Sequence, residues 1–180
     1  MEAGSFELTG VGDLPNVSLA FPGEHWSDRY ASGAITPGEA VVPTASAGKM
    51  FMRKAGAGDA ALAVQTAIAM RTWQPPDQNI GPTALGPNEI YNVEIEDGEY
   101  VHAFYSGGFH LTLVVPDDYN PGDLIGWDAD GRRARGKTGT GAWSKDAAAD
   151  IRSLFEVHLW RPINDDKEGI LTVRSLRTQM

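Results

Sequence analysis

The sequence predicts a mainly β protein with an extended N-terminal arm and at most one short helix. Three observations lead there. The 180 residues include 21 Gly and 11 Pro, scattered along the whole chain as the punctuation of many turns and short elements. Hydrophobic residues make up 42%, enough for a real core, and charged residues only 22%. Apolar and polar residues alternate with a period of two over 91–95, 109–115, 155–160 and 170–176, with turn residues between.

Residues 1–30 form the expected arm. MEAGSFELTGVGDLPNVSLAFPGEHWSDRY has no sustained period, yet it carries large apolar side chains: Phe6, Leu8, Leu14, Val17, Leu19, Phe21, Trp26 and Tyr30. Such a segment is expected to lie extended along another surface, either its own domain or a partner. Phe6, Leu8, Leu14, Leu19, Phe21 and Trp26 are the candidate partner-binding residues.

The remaining domain, 31–180, opens with ITPGEAVVPTASAGKMFMRKAG. Pro37-Gly38 suits the centre of a type II turn, where Pro presets φ and Gly accepts a positive one. In GDAALAVQTAIAMRTW, Leu62, Val64, Thr66, Ile68, Met70 and Thr72 alternate with a face of mostly small residues. Alternation favours a strand there, although the alanines and Asp59 as an N-cap would also suit a helix. Residues 74–105 read as a loop and a hairpin: QPPDQNIGPTALGPNE is a Pro-rich loop, and Asp97-Gly98 turns Tyr91, Val93 and Ile95 back onto 100–105. FHLTLVV is a clear strand, and Asp128-Ala129-Asp130-Gly131 reads as a tight turn. Residues 144–154 suit one short helix, and FEVHLWRPI and GILTVRSL two strong strands. An internal echo pairs Thr36-Pro37-Gly38-Glu39-Ala40-Val41 with Asn120-Pro121-Gly122-Asp123-Leu124-Ile125, each read as turn, strand, tight turn, strand.

Composition excludes several functions. The net charge of −9 repels nucleic acid over most of the surface, so no nucleic-acid partner is expected. With no cysteine there are no disulfides, thiolate nucleophiles or thiolate metal sites. MEAGSFELTG lacks a basic region followed by an apolar run, and no stretch has the roughly 18 apolar residues of a membrane span. A non-secreted protein without a membrane partner is expected.

Motifs of chemistry fail on context. GRRARGKT at 131–138 fits the P-loop pattern, but a working P-loop needs a strand before it and a helix immediately after, and Gly139, Thr140 and Gly141 start no helix. A β-hairpin tip with a basic flank is the better reading. Asp128 and Asp130 resemble the opening of a calcium loop, but the twelfth position is Gly139 rather than Glu. His102, His110 and His158 would make a zinc site only if three strands turned them to one side. Trp26, Trp73, Trp127, Trp143 and Trp160 would suit a sugar-binding face, but packing is favoured. No catalytic residue, cofactor or metal is therefore expected, and the chain is read as not an enzyme.

ITPGEAVVPTASAGKMFMRKAG, GDAALAVQTAIAM, and NPGDLIGWDADGRRARG followed by FEVHLWRPI give the chain, over roughly residues 33–176, a resemblance to the head decoration, or capsid cement, proteins of tailed bacteriophages. The resemblance implies a small β-barrel or β-sandwich, often trimeric, that binds the major capsid protein on the outer surface of the virion and stabilises the expanded head. It implies no enzyme activity. Residues 74–100 depart from the pattern as an insertion, and the arm is longer than the pattern has. Another virion component, in the tail or neck, or a carbohydrate-binding β module remain as alternatives.

Overall fold

A computed structural model describes residues 17–56, 58–59, 62, 65–70, 93–114, 119–132, 143–144, 152–163 and 168–176. Its strands in chain order are β1 (Val17–Phe21), β2 (His25–Ala31), β3 (Ala40–Ser46), β4 (Lys49–Lys54), β5 (Ala67–Met70), β6 (Tyr100–Phe104), β7 (Gly108–Val114), β8 (Leu124–Arg132), β9 (Trp143–Ser144), β10 (Arg152–Pro162) and β11 (Glu168–Ser175). The mainly β expectation holds, and no α-helix occurs among the described residues.

Two β modules result. Strands β2-β4-β3-β5-β6 close into a barrel, and β1-β7-β11-β10-β8-β9 form a six-stranded sheet. A closed ring of five strands cannot alternate direction throughout, so one neighbouring pair must be parallel. That pair is β2 and β4; the other four are antiparallel.

The sequence explains why the barrel can be so narrow. Its interior is filled by Ala31, Val41, Met52, Ala67, Ala69, Val101 and Ala103, with Ile35 and Ile95 bridged to one another. Small side chains on one face are what a five-stranded barrel has room for. The alternate residues Ala40, Val42, Ile68, Met70 and Phe104 point the other way. There they meet Val17, Phe109, Leu111, Ile125, Phe155, Val157, Leu171 and Val173 from the sheet. One core therefore lies between barrel and sheet, crossed by the aromatic chain Phe104–Phe109–Phe155 with ring centroids 5.9 Å apart at each step. Each large apolar side chain buried there contributes about 1.5–3 kcal/mol.

The modules are joined at a crossing of two corners. The segment between β1 and β2 packs on the segment between β6 and β7. Tyr105 N–H donates to the Glu24 carbonyl (3.1 Å) and Glu24 N–H to Ser106 Oγ (2.8 Å). Gly23 lies so close to Ser106 and Gly107 that a Cβ on it would fall 1.9 Å from the Ser106 carbonyl oxygen.

Several expectations are corrected. Residues 17–30, read as part of the arm, are the strands β1 and β2 in the body of the fold; residues 1–16 lie outside the described residues. Of the strand expected across 62–72, the described part is Ala67–Met70, which pairs with β3 and β6; Leu62 and Gln65 are in 3₁₀ conformation, and residues 63, 64, 71 and 72 lie outside the described residues. The expected hairpin of 91–95 with 100–105 does not form: Ile95 pairs with Ile35, and β6 pairs with β2 and β5. Asp128-Ala129-Asp130-Gly131 is no turn but part of the nine-residue β8. The helix expected over 144–154 is contradicted at both ends, by β9 and by β10, which pair on opposite sides of β8. The Pro-rich loop of the expected insertion falls outside the described residues.

The internal echo is real and goes one copy further. Thr36–Glu39, Asn120–Asp123 and also Glu96–Glu99 form the same turn, each with a Gly at its third position at φ 94°, 90° and 82°. In each, the first N–H donates to the acid of the fourth residue, at 2.7, 2.9 and 2.8 Å. The fourth N–H donates back to the first carbonyl, at 3.1, 3.0 and 3.1 Å. The Gly N–H then reaches the carbonyl of Ala69, Val157 or Ala31 on a neighbouring strand, and that residue's N–H returns a bond to the carbonyl of the turn's acid. The positive φ at the third position is the type II requirement, which only Gly meets without strain. The turn thus fixes the start and the register of β3, β8 and β6.

Candidate functional site

Three surface features stand out once the core is accounted for. The first is the edge strand β1, which pairs with β7 on one side and forms one edge of the six-stranded sheet. Its sequence VSLAF carries no charge and no Pro. Leu19 and Phe21 are 43% and 45% exposed, and among the described residues no strand pairs with β1 on its other side, so this edge presents large apolar side chains beside backbone hydrogen-bonding groups that no described strand takes. The Phe21 ring lies against Gly108, where no side chain intervenes.

The second is a groove of about 280 Å³ on the face of the sheet turned away from the barrel, lined by Ser18, His110, Thr112, Leu159, Arg161, Ile170 and Thr172. Strand register builds it in two rows. Ser18, His110, Thr172 and Leu159 are successive partners across β1, β7, β11 and β10. Thr112, Ile170 and Arg161 form the next row across β7, β11 and β10. A bulge between Val157 and Leu159 shifts the alternation of β10, which turns Leu159 and Arg161 to the groove while Trp160 packs toward the core. Thr112 and Thr172 are only 3% and 8% exposed although they lie on the outer face, because the longer side chains around them stand up as walls. His110 Nδ1 and Thr172 Oγ1 are hydrogen-bonded at 3.0 Å. Burial, and then the positive charge of Arg161, hold the His110 imidazole below its ordinary pKa.

The third is an aromatic ladder on the barrel, Tyr100–Tyr30–Phe51, in register across β6, β2 and β4. Centroids are 4.6 and 6.0 Å apart, the two Tyr hydroxyls are bonded at 3.0 Å, and Lys49 Nζ lies 5.8 Å from the Tyr30 ring centre.

Of the candidate partner-binding residues, Leu19 and Phe21 both lie on the β1 edge, but a register shift between them sets Leu19 opposite Phe109 on the core side and Phe21 opposite Gly108 on the outer side. Trp26 does not join them: it packs half-buried against Tyr105 at 4.6 Å, on the barrel core. Phe6, Leu8 and Leu14 lie outside the described residues. The histidines are dispersed. His102 is on the barrel, stacked at 5.3 Å on His25, with its pKa lowered by burial and then by His25; His110 is in the groove, and His158 is exposed on β10. Among the described residues no three His, Asp or Glu converge on a metal position. Gly131 of the GRRARGKT stretch is within β8, so a strand does precede it, contrary to expectation. β8 then pairs antiparallel with β9 through Trp127 and Trp143, a hairpin arrangement; residues 133–142 lie outside the described residues. Of the tryptophans, Trp26 packs on the barrel core and Trp160 on the core between the modules, so these two do not share a face; Trp73 lies outside the described residues.

The groove is the feature that sequence reasoning missed. Its signal was present in the polar half of each alternating strand, Ser18, His110, Thr112 and Thr172, but assembling them requires the strand order. No family model, curated protein or solved structure matches the chain.

Proposed function

We propose that this chain is a structural protein of a phage particle, a decoration protein that binds the major capsid protein on the outer surface of the expanded head and stabilises it, as a homotrimer. The observation that carries the reading is the β1 edge: five uncharged residues with Leu19 and Phe21 exposed, at the edge of a sheet that is otherwise well packed. Proteins ordinarily blunt such an edge with Lys, Pro or a covering loop, because it pairs readily with a foreign strand. An edge with no partner among the described residues suits strand addition, in which main-chain bonds supply affinity and alternate side chains supply specificity. The resemblance of TPGEAV and NPGDLI to the turn-and-strand theme of cement proteins gives the partner. Three copies on one trimer would engage a lattice with high effective concentration when their spacing matches it.

The test is the Leu19→Lys variant mixed with undecorated heads. Leu19 is part exposed, so its folding stability stays within about 1 kcal/mol of the parent. A charge at the buried contact lowers affinity about tenfold or more. Full occupancy by the folded variant would rule out β1 as the anchor, and sedimentation showing only monomer would count against the trimer.

A further inference from the structure

We propose that the groove on the outer face of the six-stranded sheet is a binding site for a carboxylate carried on a short aliphatic stem, with Arg161 and His110 on the carboxylate and Leu159 and Ile170 against the stem. The inference goes beyond capsid binding and does not depend on it.

The argument begins with charge. The chain carries 24 acidic and 15 basic residues, so its arginines have carboxylates in excess to choose from. Arg53 holds Asp59 through two bonds of 2.7 and 2.5 Å, and Arg174 holds Glu156. Arg161 is different: it is exposed, no carboxylate pairs with it among the described side chains, and it lines the same groove as His110. An anion seated in that groove meets both groups, and its charge favours the protonated imidazole as well as the guanidinium. The planar fork of arginine also matches a carboxylate two bonds at a time.

The lining supplies the rest. The Thr172 hydroxyl is tied to His110 Nδ1, which fixes the ring and leaves Nε2 as its second polar atom. Ser18 adds a hydroxyl on the β1 side, and Leu159 and Ile170 give the opposite end an apolar surface. At about 280 Å³ the groove lies just below the range typical of drug-sized ligands, so it suits a small acid or a single acidic side chain. Both sources present the same chemistry.

The experiment titrates the full-length, isotope-labelled protein with sodium butyrate at constant ionic strength and follows it by NMR. Saturable shifts are expected at His110, Arg161, Ile170 and Thr172, with none from butanol, and with affinity weakened about tenfold in Arg161→Gln. Arg161 is exposed, so that variant folds; Thr172→Val, which frees the imidazole while keeping a β-branched residue, is expected to weaken binding as well. Absence of saturable shifts at these residues, or equal binding by Arg161→Gln, overturns the proposal. A second arm measures occupancy of undecorated heads by Arg161→Gln. Parallel loss assigns the carboxylate to an acidic side chain of the shell, and unchanged occupancy assigns it to a free acid; a failure of the parent protein itself to bind heads would fall on the capsid reading alone.

Discussion

Replacing Gly23 by Ala tests whether the crossing of the two corners holds the modules together. An added Cβ would lie 1.9 Å from the Ser106 oxygen, 2.6 Å from the Ser106 carbonyl carbon and 2.7 Å from the Gly107 Cα. All three are backbone atoms, so no side chain can swing aside, and the corners must part by about an ångström. Parting them strains the packing by about 1–3 kcal/mol. It also stretches the Tyr105–Glu24 and Glu24–Ser106 hydrogen bonds, each worth about 1 kcal/mol. A loss of about 2–4 kcal/mol is expected, which for a chain of this size lowers the melting temperature by about 5–15 °C. Gly58→Ala is the control, since a Cβ there meets nothing within 4 Å. Differential scanning calorimetry and urea unfolding of both variants provide the comparison. Equal stability of Gly23→Ala and Gly58→Ala would refute the reasoning.

Two further outcomes concern charge. Glu39 is fully buried and its carboxylate accepts from Thr36 N–H and, at 3.2 Å, from Lys54; Glu39→Ala should cost about 3–5 kcal/mol in urea unfolding, against about 1 kcal/mol for Glu99→Ala in the more exposed copy of the same turn. The hydrogen bond from Arg53, helped by Gly56 N–H, holds the Asp59 pKa below its ordinary value. A depressed carboxylate stabilises the fold above its unfolded pKa of about 3.9, and that contribution is lost as the pH falls through the lower folded value. Asp59→Asn should therefore be less stable at pH 7 and should show a shallower loss of stability below about pH 4, as followed by thermal melts across pH.

The strands at 108–114 and 168–175, and β10 from Phe155 onward, were legible because apolar and polar residues alternate there and one face packs on the shared core. The small face of GDAALAVQTAIAM was also legible, but its meaning was not. Ala67 and Ala69 line a barrel whose width depends on the number of strands, which no single strand reveals. β1 and β2 were missed although Val17, Leu19 and Phe21 alternate with Ser18 and Ala20, because Pro22 and Gly23 read as loop. In the fold those two residues make the corner by which one ribbon passes from sheet to barrel. The third copy of the acidic turn was hidden by its chemistry. Glu96-Asp97-Gly98-Glu99 looks like a hairpin tip, and its bonds within the turn and from Gly98 to Ala31 reveal its kinship with the Pro-Gly copies. Of the candidate partner-binding residues, Leu19 and Phe21 were legible as large apolar groups. Trp26 resembled them in the sequence, but its neighbour across space, Tyr105, decides its role.

The capsid-binding account is tested most directly by electron cryomicroscopy of undecorated heads mixed with the full-length chain. The account predicts added density on the outer surface at regular lattice positions, in groups of three, with the β1 edge and its Leu19 and Phe21 against the shell. Heads that remain bare at saturating protein, or copies seated with β1 facing solvent, would contradict it.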